Sequence, residues 1–119
     1  MFLRGYRLHG DSYIEFQKCS KKHFRFFRIS HEKPNSLYVK AEDFERFFEQ
    51  YGGILRCAEL RCGKTGFDAC GVNYYDPETT QTLRGIIEKS CLDDHVTVAR
   101  WLKSCRAKGQ GFYVLGGKL

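Results

Sequence analysis

Between Lys18 and Lys33 the chain interleaves cations with aromatic rings: Lys18, Lys21, Lys22, Phe24, Arg25, Phe26, Arg28 and Lys33, with His23 and His31 among them. Ammonium and guanidinium groups attract phosphates and carboxylates, and rings beside them offer flat apolar area. Two chemistries need that mixture. Unpaired bases stack on exposed rings while cations follow the phosphate backbone. Protein interfaces use the same combination of ring and arginine as energetic anchors. These residues are therefore the candidate partner-binding set. The Lys21-Lys22 pair also has a plainer use, keeping a hairpin tip soluble and blunting a sheet edge.

The charge is concentrated where this run lies. The net charge is +6, and residues 1–40 carry nine Lys or Arg against Asp11, Glu15 and Glu32, which accounts for all of it. Residues 41–119 carry eleven bases and eleven acids. A localised excess of this kind draws acidic partners, either the phosphates of nucleic acid or an acidic protein surface.

Residue sets for catalysis are sparse. There is no Gly-x-Ser-x-Gly nucleophile turn and no His-Glu-x-x-His metal pair. Gly63-Lys64-Thr65-Gly66 lacks the leading glycine spacing of a phosphate loop. His31 and Glu32 are sequence neighbours and on a strand would point to opposite faces. His31 or His95 with a nearby cation could serve nuclease-type acid–base chemistry, but isolated histidines more often have structural or surface roles. Cys57-x4-Cys62-x7-Cys70 is the one cysteine cluster, and its spacing is wider than the tight pairs zinc sites use. The expectation is a binding protein without catalytic residues, metal or cofactor.

The N-terminal ten residues contain Arg4, Arg7 and His9 rather than an apolar export segment, and no apolar run reaches the ~18–20 residues of a membrane span. That predicts a cytoplasmic protein with no membrane partner and six reduced cysteines, Cys91 and Cys105 among them buried.

The elements that must position the basic run can be read from periodicity. Residues 13–18 and 24–30 are strand-like, rich in aromatic and β-branched side chains, and the polar stretch 19–23 joins them as a hairpin. In the second of these strands Phe24, Phe26 and Arg28 would face one way, and Arg25, Phe27 and Ile29 the other. Residues 37–40 form a third strand after the Pro34-Asn35-Ser36 turn. Phe44, Phe47, Phe48 and Tyr51 recur at helical spacing and predict a helix over 42–51 with an aromatic core stripe, stopped by Gly52-Gly53 in the left-handed conformation. Residues 54–60 and 67–75 are strand candidates around a Gly63–Gly66 turn.

Asp76-Pro77 opens a second helix, N-cap then first-turn proline, with Leu83, Ile86 and Ile87 as its apolar face. A third helix runs from Asp93 or Asp94 to about Lys108, burying Val98, Trp101, Leu102 and Cys105, and residues 112–115 form a last, buried strand. The order β-β-β-α-β-β-α-α-β predicts a single α+β domain: a mostly antiparallel sheet with about three helices on one face.

Two family resemblances follow from these residues. Tyr13-Ile14-Glu15-Phe16, the run from Phe24 to Ile29, and Leu37-Tyr38-Val39-Lys40-Ala41-Glu42-Asp43-Phe44 resemble one repeat of the Pur-type single-stranded nucleic-acid-binding fold. That resemblance implies a basic, aromatic strand face that stacks unpaired bases. The helix containing Trp101-Leu102-Lys103, followed by Gly109-Gln110-Gly111-Phe112-Tyr113-Val114-Leu115-Gly116, resembles the ends of small immunity proteins of bacterial polymorphic and contact-dependent toxin systems. That resemblance implies a cytosolic α+β inhibitor that blocks a toxin domain by direct binding. The basic run then implies a toxin with an acidic surface.

Overall fold

The protein is described from a computed structural model, which covers residues 1–4, 12–20 and 28–116. Among the described residues the sheet has seven strands: β1 (Phe2–Arg4), β2 (Tyr13–Cys19), β3 (Leu37–Lys40), β4 (Ala58–Leu60), β5 (Thr65–Gly66), β6 (Val72–Tyr75) and β7 (Gly111–Leu115). They lie in the order β1-β3-β2-β7-β6-β4-β5, and every neighbouring pair is antiparallel. Three helices, α1 (Phe44–Tyr51), α2 (Pro77–Glu88) and α3 (His95–Arg106), complete an α+β fold.

Strand parity sorts the side chains. Ile14 and Phe16 of β2, Leu37 and Val39 of β3, and Phe112 and Val114 of β7 point to one face. There they meet Phe47 and Tyr51 of α1, Leu83 and Ile87 of α2, and Val98, Trp101, Leu102 and Cys105 of α3. Burying Phe, Trp, Leu and Ile side chains contributes about 1.5–3 kcal/mol each, so this layer dominates the fold. Within it the rings of Tyr75 and Phe112 stack with centroids 4.4 Å apart, and Phe16 meets Trp101 edge-on.

Local chemistry sets the helix ends. The Asp76 carboxylate accepts from the Thr79 amide at 2.7 Å and Pro77 sits in the first turn, as the sequence predicts for the start of α2. Gly109 ends α3 at φ +60, where the Gln110 amide reaches back to the Cys105 carbonyl at 2.9 Å. Asp94, at the start of α3, makes no cap bond; its carboxylate accepts instead from the Phe2 amide at 2.8 Å and ties β1 to the helix layer.

Several expectations are corrected. Residues 2–4 form an edge strand too short to show a sequence period. Residues 54–60 divide into a 3-10 turn, Ile54–Cys57, and β4. Gly52 and Gly53 keep right-handed helical angles, because the chain continues into that turn instead of reversing. In 67–75 only β6 is strand, preceded by the two-residue β5. Ile86 is 49 % exposed; Thr80 takes the third buried position of α2 beside Leu83 and Ile87. Cys91 lies beyond α2 and is exposed, while Cys105 is buried as expected.

The predicted hairpin partner of β2 is described only in part. Residues 28–30 are not strand, and β2 is flanked by β3 along Tyr13–Phe16 and by β7 along Glu15–Cys19. The rest of that predicted strand, residues 24–27, lies outside the described residues.

Candidate binding site

The second face of the sheet carries the alternate side chains: Tyr13, Glu15, Gln17 and Cys19 of β2, Tyr38 of β3, Tyr74 of β6, and Tyr113 and Leu115 of β7. Residues 28–36 run along this face as a strap. Glu15 is completely buried beneath it. One carboxylate oxygen accepts from the Glu32 amide at 2.7 Å; the other accepts from the Lys33 amide at 3.0 Å, the Ser36 hydroxyl at 2.7 Å and the Gln17 side-chain amide at 3.1 Å. The His31 ring lies 3.8 Å from the same carboxylate. Gln17 also donates to the Ser30 carbonyl at 2.5 Å, and the Trp101 indole donates to the Asn35 carbonyl at 2.6 Å. The strap is thus bonded from both faces of the sheet. Asn35 and Glu32 adopt positive φ angles of 63° and 61°, which lets the strap turn its amides inward toward Glu15.

The strap, the turn after β4 and the ends of β6 and β7 enclose a cleft of about 290 Å³. Arg28, His31 and Arg61 supply its polar wall, and Ile29, Val72 and Leu115 its apolar wall. Arg28 and Arg61 are both exposed, and neither is bonded to an acid among the described residues. Two free guanidiniums above an apolar floor suit a carboxylate-bearing segment, because each can take a carboxylate in a two-pronged bond while the floor receives its neighbouring side chain.

The predicted site residues divide. Arg28 lines the cleft, and Lys33 is exposed on the strap. Lys18 is corrected: its parity sends it to the helix face, where the ammonium donates to the Ser104 hydroxyl at 2.5 Å and sits 5.6 Å from the Trp101 ring centre. Half-buried there, it stands apart from the cleft. Lys21, Lys22, Phe24, Arg25 and Phe26 lie outside the described residues. Arg61 is the residue the linear reading missed. It is distant from Arg28 in sequence, and only the placement of β6 beside β7 brings the two segments together.

The tyrosines of this face are not a stacking platform. Tyr13, Tyr38, Tyr74 and Tyr113 are 4–8 % exposed, which leaves no ring face for a base. Burial, with the Glu15 charge as the next cause, pushes the Tyr13 hydroxyl up to about 12; burial likewise pushes Tyr74 up to about 12. Among the described residues no group of three or more His, Cys, Asp or Glu side chains is placed to hold a metal ion, and no helix is long and apolar enough to cross a membrane. His95 is likewise remote from the cleft; its ring contacts the Leu92 carbonyl at 3.0 Å on the helix side.

Compared with known proteins, the chain matches no family model, no curated protein and no solved structure.

Proposed function

We propose that this chain is a non-enzymatic inhibitor of the immunity kind, which acts in the cytoplasm and neutralises a toxin domain by seating an acidic segment of it in the Arg28–Arg61 cleft. The observation that carries the reading is the cleft itself, where two guanidiniums that no acid among the described residues pairs stand beside an apolar wall. Such a wall selects carboxylates near an apolar side chain, and its charge speeds encounter with an acidic surface. The near-complete burial of the four tyrosines favours a protein over unpaired bases as the ligand of this face.

The test is affinity capture from the source cells with the wild-type chain and with R28E/R61E. The expected result is one protein partner, retained by the wild type and lost by the variant, whose toxic activity stops when the wild-type chain is added. Recovery of nucleic acid alone, or of a protein whose activity the chain leaves unchanged, would overturn the reading.

A further inference from the structure

The helix layer has a second cation-lined groove that the basic run does not include. α2 and α3 pack side by side. Gln81 donates to the Leu102 carbonyl at 2.9 Å near one end of the pair, and Glu88 and His95 share the groove near the other, so the two helices run antiparallel. Along their outer seam lies a groove of about 300 Å³. Arg84 and Glu88 form one wall, Arg100 and Lys103 the other, and Val96 and Ala99 the floor.

Two features separate this groove from an ordinary solvated helix face. The first is its charge. Arg84 is satisfied by Glu88 at 2.5 Å and by Gln81 at 3.1 Å, whereas Arg100 and Lys103 are exposed and bonded to no acid among the described residues. One wall is neutralised and the other is not. The second is the floor. Val96 is 54 % exposed, and with Ile86 it is one of two large hydrophobic side chains on the described surface that are exposed to this degree. Ala99 beside it is 6 % exposed, so Val96 supplies most of the apolar surface the groove offers. Val96 beside cations that no acid among the described residues neutralises suits a partner that carries carboxylates next to an apolar side chain.

The geometry points to an acidic amphipathic helix of a partner protein as the occupant. Arg100 and Lys103 are one turn apart, a rise of ~4.5 Å along α3, and carboxylates at i and i+3 or i+4 on a third helix repeat at that spacing. An apolar side chain on the same stripe would then rest on Val96 and Ala99, in the way helices pack ridges into grooves. A nucleic acid strand is disfavoured here, because no Phe, Tyr or Trp lines the groove and its one ring, His95, is engaged at the Leu92 carbonyl. This surface stands apart from the Arg28 cleft and does not rest on it: the cleft lies on the second face of the sheet, the groove on the outside of the helix layer.

The test uses the full chain and a fluorescent synthetic helical peptide of about four turns, with Leu at i, i+4 and i+7 and Glu flanking them, followed by anisotropy. The wild type is expected to bind it, R100E/K103E to bind at least about tenfold more weakly, and V96D several-fold more weakly. R28E/R61E is expected to bind within about twofold of wild type, so failure of the cleft reading and failure of this one give different patterns. A scrambled peptide of the same composition is expected to bind several-fold more weakly than the patterned one. Three results would each overturn the inference: undiminished binding by R100E/K103E, equal binding of the scrambled peptide, or equal binding of a thymidine oligonucleotide. A wild-type chain that dimerises alone through this groove, with the dimer lost in R100E/K103E, would overturn it as well, since the occupant would then be a second copy.

Discussion

Replacing Glu15 with Gln isolates what the buried carboxylate does, because it keeps the shape and removes the charge. Glu15 takes four hydrogen bonds, from the Glu32 and Lys33 amides, the Ser36 hydroxyl and the Gln17 amide. Gln has one acceptor oxygen. If that oxygen takes the position facing Lys33 and Ser36, its NH2 group faces the Glu32 N–H across 2.7 Å, donor against donor. The alternative orientation sets two donors against it, so the first is favoured. The variant thus loses one charge-assisted bond, strands one strap amide and turns the remaining bonds from charged to neutral. Bonds to a charged group contribute ~1.5–3 kcal/mol each, and a stranded buried donor costs ~1–3 kcal/mol. Removing a buried charge returns part of this, because its desolvation no longer has to be overcome. The net expectation is a loss of about 2 kcal/mol, a large share of the ~5–15 kcal/mol typical of a domain. The assay is urea unfolding followed by Trp101 emission. Trp101 is the sole tryptophan and its indole is bonded to the strap at Asn35, so strap release also changes the native signal. Amide exchange at Glu32 and Lys33 reports the strap directly, and both amides should lose protection in E15Q well below the urea midpoint. A variant within about 0.5 kcal/mol of wild type, with both amides still protected, would refute the claim that Glu15 holds the strap.

Two further outcomes follow from burial. Cys57, Cys62, Cys70 and Cys91 are exposed, whereas burial raises the Cys57 thiol and pushes the Cys19 thiol up to about 12 and the Cys105 thiol up to about 11; a thiol reagent at neutral pH should label Cys62, Cys70 and Cys91 quickly, Cys57 more slowly, and Cys19 and Cys105 only on unfolding, as mass spectrometry of timed samples would read. Tyr13 and Tyr74 titrate near 10 when unfolded and about 12 when folded, so their stabilisation is fully present below pH 10 and is lost as pH rises through 12; the urea midpoint should fall over that window, and a midpoint flat from pH 9 to pH 12 would contradict it.

Long periodic elements were legible in the sequence, and short ones were not. The aromatic stripe of α1, the Asp76-Pro77 start of α2, the Val98–Cys105 stripe of α3 and the buried final strand all appear where periodicity and capping chemistry put them. β1, β4 and β5 span three, three and two residues, too few to display alternation. β1 is placed by a distant partner, β3, from Phe2 opposite Val39 to Arg4 opposite Leu37, whereas β4 and β5 pair with each other across a short turn. Of the expected partner of β2 only residues 28–30 are described, and they are not strand. No local signal records that β7, from the far end of the chain, pairs with β2 along Glu15–Cys19 while β3 pairs with it along Tyr13–Phe16.

For the site, composition located the charge but not its use. Lys18 and Arg28 look equivalent in a list of cations. Strand parity separates them, since position 18 falls with Ile14 and Phe16 on the helix face while Arg28 follows β2 on the strap across the other face. The same parity explains Glu15, which falls with Tyr13 and Gln17 on the second face; as an acid in a basic segment it looks like surface compensation, yet it is the anchor on which that segment is built. Arg61, Arg100 and Lys103 were hidden by arithmetic: residues 41–119 sum to zero charge, and a zero sum conceals cations whose acidic counterparts sit on other surfaces. Glu42, Glu45 and Glu49 are exposed on α1 and its preceding turn, while Arg100 and Lys103 of α3 are bonded to no acid among the described residues. A segment's net charge therefore predicts the sign of its long-range field, but the groups a partner meets are fixed by which helix or strand face each charge occupies.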